Sequence, residues 1–196
     1  MDRELELQLV GRLRAGDPAG FDAVYDAFNT RLYRFLARLS NSRDVAEDLT
    51  EETWLRLVVH APRLQPDTRL SAWLFTVARN LHASYRRSRI LEDSHAAGLL
   101  GLWPSGSARP TPLEAAEASE SQGRLAAALA SLPVRYREAL LLVAVEGLRP
   151  GEAAEVCGVT AEAMRQRLSR ARALLARRLA EGEGSSLAAA LREVTS

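Results

Sequence analysis

Residues 151–178 combine the side chains that bind nucleic acid with the spacing of a DNA-reading helix. A short helix over residues 151–157, a turn at Gly158 and a longer helix capped by Thr160 make the helix–turn–helix pattern. Between residues 160 and 178 there are six arginines and a single acid. That acid, Glu162, lies in the first turn, where the helix dipole favours it. The segment therefore predicts a basic recognition helix.

The two faces of that longer helix separate by residue type. The stripe expected to pack inward consists of Met164, Leu168, Ala171 and Leu175. Arginine and glutamine on the other side can reach base edges, and flanking arginines suit phosphates. The candidate DNA contacts are Thr160, Arg165, Gln166, Arg167, Ser169, Arg170, Arg172 and Arg177. The alternative is a basic helix that is merely solvated.

Residues 71–89 are a second candidate for nucleic-acid binding. Residues 79–89 hold four arginines and no acid, and Trp73 and Phe75 flank the same face. Arginines beside aromatic rings can hold a phosphate backbone and stack an unpaired base, although both rings could equally belong to the core. The stripe expected to be buried is Leu74, Val77, Ala78, Leu81 and Tyr85. The candidate contacts are Trp73, Thr76, Arg79, Asn80, Ala83, Arg86 and Arg87.

Residues 44–59 form a helix with one acidic side, made of Asp44, Glu47, Asp48, Glu51 and Glu52. Like charges four residues apart cost about 0.2–0.5 kcal/mol per pair, so helix stability does not explain them. Leu55 and Val59 continue the acidic side, whereas the core is served by Val45, Leu49, Thr53, Trp54 and Leu57. An acidic patch that runs into exposed aliphatic residues predicts a docking surface for a basic protein. A solvated acidic face would explain the acids but not the aliphatic residues.

Catalytic and metal-binding patterns are not found in the sequence. His60, His82 and His95 have no ligand spacing with one another or with Cys157, the one cysteine, which we expect in the core. No glycine-rich phosphate loop or nucleophile elbow is present. We therefore expect no metal, no cofactor and no enzymatic activity. No stretch is long and apolar enough to span a membrane and the N-terminus is not a secretory signal, which predicts a cytoplasmic protein without membrane insertion.

The chain predicts an all-α fold of two small helical domains joined by a flexible linker. Strand-like alternation is absent, and glycine and proline concentrate between residues 92 and 120. We predict an N-terminal domain over residues 1–91, a linker over 92–120, a helix–turn–helix domain over 121–182 and a tail over 183–196. The expected helices cover about 3–14, 18–39, 42–60, 71–89, 122–130, 132–145, 151–157 and 160–180, with Asn41 as the cap of the third.

With these features in view, the chain resembles the extracytoplasmic-function (ECF) group of bacterial RNA polymerase sigma factors. The strings that carry the resemblance are LRAGD at 13–17, DVAEDLTEETW at 44–54, AWLFTVARN at 72–80, LPVRYREALLL at 132–142 and RLSRAR at 167–172. They occur in the same order on both sides of the linker and cover the chain from Leu13 to about Leu179.

The resemblance implies a role for each feature. The acidic helix with Leu55 and Val59 would dock on core RNA polymerase. Residues 71–89 and the preceding loop would recognise and melt the −10 promoter element, and the helix from Thr160 would enter the major groove at the −35 element. An anti-sigma factor is the implied regulator. The alternative function is a stand-alone helix–turn–helix repressor or activator, which would need neither the acidic face nor the second basic helix.

Overall fold

The computed structural model describes residues 3–96 and 120–194, which form helices joined by short turns. They divide into two compact units, one containing residues 3–96 and the other most of residues 120–194. Within these ranges there is no strand, and no helix is long and apolar enough to cross a membrane. The prediction of an all-α fold with two helical domains is confirmed. The greater part of the predicted linker lies outside the described residues.

Four helices build the first unit: α1 (Arg3–Arg14), α2 (Pro18–Ser40), α3 (Arg43–His60) and α4 (Leu70–Ala96), with a 3₁₀ turn (Ala61–Arg63) after α3. Helix α2 packs against the other three, and α3 also packs against α4. The largest side chains that are wholly buried here are Phe28, Leu32, Phe35, Leu36, Leu39, Leu57, Leu70, Leu74 and Phe75. Helix α2 contributes five of these side chains at helical spacing, and α3 and α4 contribute the others, so one apolar core fixes the relative placement of α2, α3 and α4.

The turn between α1 and α2 is held by a side-chain cap and a close backbone approach. The Asp17 carboxylate accepts from the amide of Ala19 at 3.0 Å and from Arg12 Nε at 2.6 Å. The bond from Arg12 is the main cause that lowers the pKa of Asp17. A Cβ on Gly20 would lie 2.6 Å from the Cβ of Arg12, so the crossing of α1 and α2 requires glycine at that position.

Asn41 ends α2 instead of capping α3, so the predicted cap is wrong by one residue. Its φ of 57° is left-handed, and its amide donates to the carbonyl of Ala37 at 2.9 Å. Asparagine tolerates this conformation better than most residues, which suits it to a helix C-terminus. The cap of α3 is Ser42, whose hydroxyl accepts from the amide of Val45 at 3.5 Å.

The remaining helices are α5 (Glu120–Ala130), α6 (Val134–Leu140), a π-helical turn (Leu141–Val145), α7 (Pro150–Cys157) and α8 (Ala161–Val194), and the second unit contains them apart from residues 155–159. Helices α5 and α6 both pack against α8. The core of this packing consists of Leu132, Tyr136, Leu140 and Ala171, flanked by Leu129, Leu174 and Leu175. Cys157 is buried, as predicted for a core residue.

Three helix ends differ from the sequence prediction. Helix α4 continues to Ala96, past the predicted start of the linker, because residues 67–97 contain no glycine or proline that would end it. Helix α8 continues to Val194 through the segment predicted as a separate tail. Each interior glycine costs about 1 kcal/mol, but the alanine-rich segment that follows favours a helix. The helix predicted for residues 132–145 begins at Val134 and changes to the π-helical turn after Leu140.

A buried arginine joins α6 to the end of α5. Arg137 donates from Nε to the carbonyl of Leu129 at 3.0 Å and from Nη2 to those of Leu132 (3.1 Å) and Ala130. The carbonyls of Leu129 and Ala130 belong to the last turn of α5, where a helix leaves its last four carbonyls without a partner inside the helix, and the carbonyl of Leu132 lies in the turn that follows. The carbonyl of Leu129 also accepts from the amide of Leu132 at 3.1 Å.

We expect Arg137→Ala to destabilise the second unit by about 2–4 kcal/mol, since it removes several charged hydrogen bonds and leaves buried carbonyls without a donor. Hydrogen exchange of the full chain measures this as faster exchange of the α5 and α6 amides. Arg124→Ala, which removes a half-buried arginine from α5, is the matched control and should leave those amides protected. Equal exchange of these amides in both variants would refute the stabilisation of the end of α5 by Arg137.

Candidate functional site

Helix α3 presents an exposed acidic face, here defined as Asp44, Glu47, Asp48, Glu51 and Glu52. The first four are exposed, and Glu52 is half-buried and bonded to Arg56 at 2.7 Å. Within the described part of the chain no ion pair neutralises the other four. Their charges therefore repel one another along one side of α3, and a basic partner would relieve that repulsion.

Large aliphatic side chains stand exposed at the C-terminal end of α3. Leu55 is 55% exposed and Val59 is 64% exposed, as the sequence predicted. Val58, which the sequence prediction omitted, is 55% exposed. An acidic row followed by exposed aliphatic residues is typical of an interface with an apolar centre and a charged rim.

A groove of about 530 Å³ runs along the α2–α3 contact beside the acidic face. Its lining residues are Phe21, Tyr25, Asn29 and Tyr33 from α2, and Glu47, Thr50, Glu51, Trp54, Leu55 and Val58 from α3. The ring of Trp54 lies 4.9 Å from that of Tyr25, and its indole Nε1 donates to Asn29 Oδ1 at 2.9 Å. The α2 residues were not predicted as part of a site, although their four-residue spacing was visible in the sequence.

The outer face of α4 carries the second set of predicted contacts, here called the α4 basic face. Asn80, Arg86 and Arg87 are exposed, while Trp73, Thr76, Arg79 and Ala83 are half-buried. Arg79 donates to Asn80 Oδ1 at 3.2 Å, and Arg87 to Ser84 Oγ at 2.9 Å. The hydroxyl of Thr76 donates to the carbonyl of Ala72 at 2.7 Å.

The two aromatic residues predicted to flank this face have different environments. Phe75 is wholly buried against Phe35, with ring centroids 5.2 Å apart, so it belongs to the core. Trp73 stays half-buried at the surface, where its ring lies 6.2 Å from that of His60. Only Trp73 remains a candidate for stacking on a base. A helix turns about 100° per residue, so side chains two positions apart point to nearly opposite sides.

Helix α8 begins as predicted. The hydroxyl of Thr160 accepts from the amide of Ala163 at 3.1 Å. The inward stripe is confirmed: Met164, Leu168 and Ala171 are buried and Leu175 is half-buried. This packing leaves Arg165, Gln166, Ser169, Arg170, Arg172 and Arg177 exposed and Arg167 half-buried.

Glu162 organises the two polar side chains nearest the start of α8. Its carboxylate accepts from Arg165 Nη2 at 2.6 Å and Nε at 3.1 Å, and from Gln166 Nε2 at 3.3 Å. The bonds from Arg165 are the largest cause that lowers the pKa of Glu162, followed by the bond from Gln166. One acid thus holds two candidate base-contacting side chains together in the first turns of the helix.

Tyr136 of α6 holds another candidate DNA contact. Its hydroxyl accepts a hydrogen bond from Arg135 Nη2 at 3.2 Å. The guanidinium of Arg135 lies 4.7 Å from the Tyr136 ring centroid. Hydrogen bonding to Arg170 is the largest cause that lowers the pKa of Tyr136, because it favours the phenolate.

The Tyr136–Arg170 contact predicts a measurable titration. A group with a lowered pKa in the folded state binds its proton less tightly than in the unfolded state, so the unfolding free energy rises with pH between the two pKa values. Arg170→Ala should move one phenolate transition, followed by ultraviolet absorbance, to higher pH, and should reduce that rise. Tyr136→Phe should remove the same transition. An identical titration curve for Arg170→Ala would contradict the contact.

Metal coordination finds no support in residues 3–96 and 120–194, since no three His, Cys, Asp or Glu side chains there are grouped so that they could hold an ion. His82 is buried within α4, and His60 lies at the end of α3.

Comparison with protein families matches two patterns to the two helical units. Residues 24–90 match Sigma-70 region 2, and residues 122–175 match Sigma-70, region 4. The first match contains α3 and the α4 basic face. The second contains α6, α7 and α8 as far as Leu175, which includes Arg165, Arg167, Arg170 and Arg172.

Individual relatives agree with these matches. The ECF RNA polymerase sigma factor EcfG of Rhodopseudomonas palustris is 37% identical over 144 residues, covering 74% of this chain and 76% of the relative. SigM of Bacillus subtilis is 30% identical over 151 residues, covering 77% and 90%.

Two solved structures are similar in fold. The sigma factor RpoE from Bartonella quintana, solved with the anti-sigma factor NepR, is 29% identical, with a TM-score of 0.70 over 81% of this chain and 96% of RpoE. CnrH, solved with the cytosolic domain of CnrY, is 22% identical, with a TM-score of 0.67 over 90% and 98%. With both sigma regions matched and relatives of 30% identity or more covered over most of their length, this chain belongs to the ECF RNA polymerase sigma factors.

Proposed function

We propose that this ECF sigma factor docks on core RNA polymerase through α3, engages the −10 element with the α4 basic face and the loop before it, and contacts the −35 element with α8. The observation that carries the proposal is the presence in one chain of an acidic face, on which four of the five carboxylates have no ion-pair partner among the described residues, and of two separate helices with exposed arginines. A promoter-specificity subunit needs all three surfaces.

The support for polymerase docking is the chemistry of α3. The acidic face supplies charge that can steer a basic partner, and Leu55, Val58 and Val59 supply apolar area. The neighbouring groove, with Tyr25 and Trp54, adds aromatic surface of the kind enriched at interfaces.

The support for DNA binding differs between the two units. Helix α8 begins with a capped first turn and presents Arg165 and Gln166 near its N-terminus, where recognition helices contact base edges. The α4 basic face combines Arg86 and Arg87 with the half-buried ring of Trp73. That combination suits single-stranded DNA, whose backbone is held by charge and whose bases stack on aromatic rings.

We further propose that an anti-sigma factor regulates this chain. The support is the similar RpoE, which was solved in complex with the anti-sigma factor NepR. Such a partner would act by covering a surface that core polymerase or DNA also needs. It would then reduce transcription without acting on the promoter itself.

The alternative of a stand-alone repressor or activator is not favoured by the family and the relatives. Neither the acidic face of α3 nor the α4 basic face has a use in such a protein. A role in transcription initiation places the chain in the cytoplasm as a binding subunit, with core polymerase supplying the catalytic centre.

The test is in vitro transcription with purified core polymerase, the full chain and a pool of random promoter fragments. We expect defined start sites downstream of a shared two-part motif, which would also give the promoter preference. Core polymerase alone is the control. If no transcripts form and the chain alone shifts particular duplexes, the repressor function replaces the proposal.

A further inference from the structure

Residues 64–69 form the loop between the 3₁₀ turn and α4, immediately before the α4 basic face; Leu64 is buried, Thr68 is half-buried and the other four residues are exposed. The amide of Thr68 donates to the carbonyl of Gln65 at 3.0 Å, which closes a turn within the loop. The carbonyl of Arg69 accepts from the amide of Trp73 at 2.9 Å, so the loop also opens the first turn of α4. Any shift of the loop is therefore transmitted to Trp73.

Two side chains of α1 hold this loop and the start of α4: Arg3 contacts the loop, and Glu6 contacts the first turn of α4. Arg3 donates from Nη2 to the carbonyl of Asp67 at 2.6 Å and from Nη1 to that of Thr68 at 3.4 Å. Glu6 accepts from the amide of Ser71 at 3.3 Å, which supplies a partner to one of the free amides at the start of α4.

The two α1 side chains also bind each other. Arg3 Nη1 lies 2.7 Å from Glu6 Oε2, and the Glu6 side chain is only 10% exposed. One carboxylate oxygen of Glu6 thus accepts from Arg3 and the other from the first turn of α4. The planar guanidinium can donate in several directions at once, which lets one Arg3 bridge Glu6 and two loop carbonyls.

We propose that Arg3 and Glu6 are positioning residues for −10 recognition: they hold residues 64–69 and the start of α4 in the geometry that meets the DNA. This inference rests on the proposed function of the α4 basic face. Fixing a loop residue costs conformational entropy, and a loop already held by Arg3 does not incur that cost on binding promoter DNA. Helix α1 thus takes part in promoter selection without contacting DNA.

The test uses holoenzyme with Arg3→Ala, and Glu6→Gln as a second variant that keeps an acceptor for Ser71 but loses the charge. The readout is the ratio of transcription from the selected −10 sequence to that from single-base variants of it. Arg12→Ala is the matched control, because it breaks an equally short arginine–carboxylate pair at the other end of α1 and does not touch the loop. Discrimination at the −35 element is measured in parallel.

We expect Arg3→Ala to lower the −10 ratio about tenfold, which is of the order of the discrimination that a protein achieves at a single base pair. Glu6→Gln should lower it less, and neither variant should change −35 discrimination. Arg12→Ala should leave both ratios unchanged. If the Arg3→Ala ratio equals the wild-type ratio, or if transcription falls equally from all promoters, this inference is overturned and the proposed function is not. A wild-type chain that supports no core-dependent initiation overturns the proposed function and this inference together.

Discussion

Reversing the charge of Asp48 and Glu51 together is expected to weaken binding to core polymerase at least ~100-fold, since close charge pairs across an interface couple by about 1.5–7 kcal/mol. Both residues are exposed, and within the described residues neither has an ion-pair partner. Asp48→Arg/Glu51→Arg also relieves repulsion along α3, so the unfolding free energy should stay equal or rise slightly. Binding of labelled chain to purified core at several salt concentrations measures the effect.

The matched control is Asp22→Arg/Asp26→Arg, which reverses two exposed acids on α2 and changes net charge by the same amount. It should retain most of the affinity for core and most of its salt dependence. Wild-type affinity should fall as salt rises, because exposed charges are screened within about 10 Å at 0.1 M salt. Undiminished affinity in the Asp48→Arg/Glu51→Arg chain would exclude the acidic face from the docking surface.

The sequence predicted the parts of the molecule that depend on local spacing. The inward stripe of α8, the Thr160 cap and the exposed Leu55 and Val59 all follow from helical periodicity, and all are found. Phe75 shows the limit of that method, because its position beside the basic residues suggested a flanking ring and packing against Phe35 places it in the core. Periodicity shows which face of a helix is apolar but not which neighbouring helix covers it.

Contacts between distant segments could not be predicted for the same reason. Glu6 meets Ser71 across 65 residues of sequence, and Tyr136 meets Arg170 across two helices. Neither pair leaves a local pattern, since each residue taken alone is an ordinary polar side chain on a helix. The prediction of the α3 cap was wrong for a local reason. Asn41 and Ser42 are both good N-cap residues, but the left-handed backbone of Asn41 ends α2, and Ser42 therefore caps α3.

Replacing Arg165 by alanine should cost about 1–3 kcal/mol of promoter discrimination at a single −35 base pair, which is roughly 5–150-fold. Glu162 orients Arg165 at the start of α8, so its guanidinium is already held where recognition helices contact bases. Stability should change little, because exposed ion pairs contribute little to folding. Binding of holoenzyme to promoters that carry each of the four base pairs at every −35 position measures the discrimination.

The pattern of loss distinguishes the two ways in which Arg165 can bind DNA. A contact to a base relaxes the preference at one position and leaves the other positions unchanged. A contact to a phosphate weakens all sequences alike and reduces the slope of affinity against salt by about one. Arg178→Ala removes an arginine bonded to Glu181 further along α8 and should do neither. A uniform loss with the reduced slope would therefore assign Arg165 to a contact with a DNA phosphate. Within α8, Gln166 would then be the candidate base contact nearest the N-terminus.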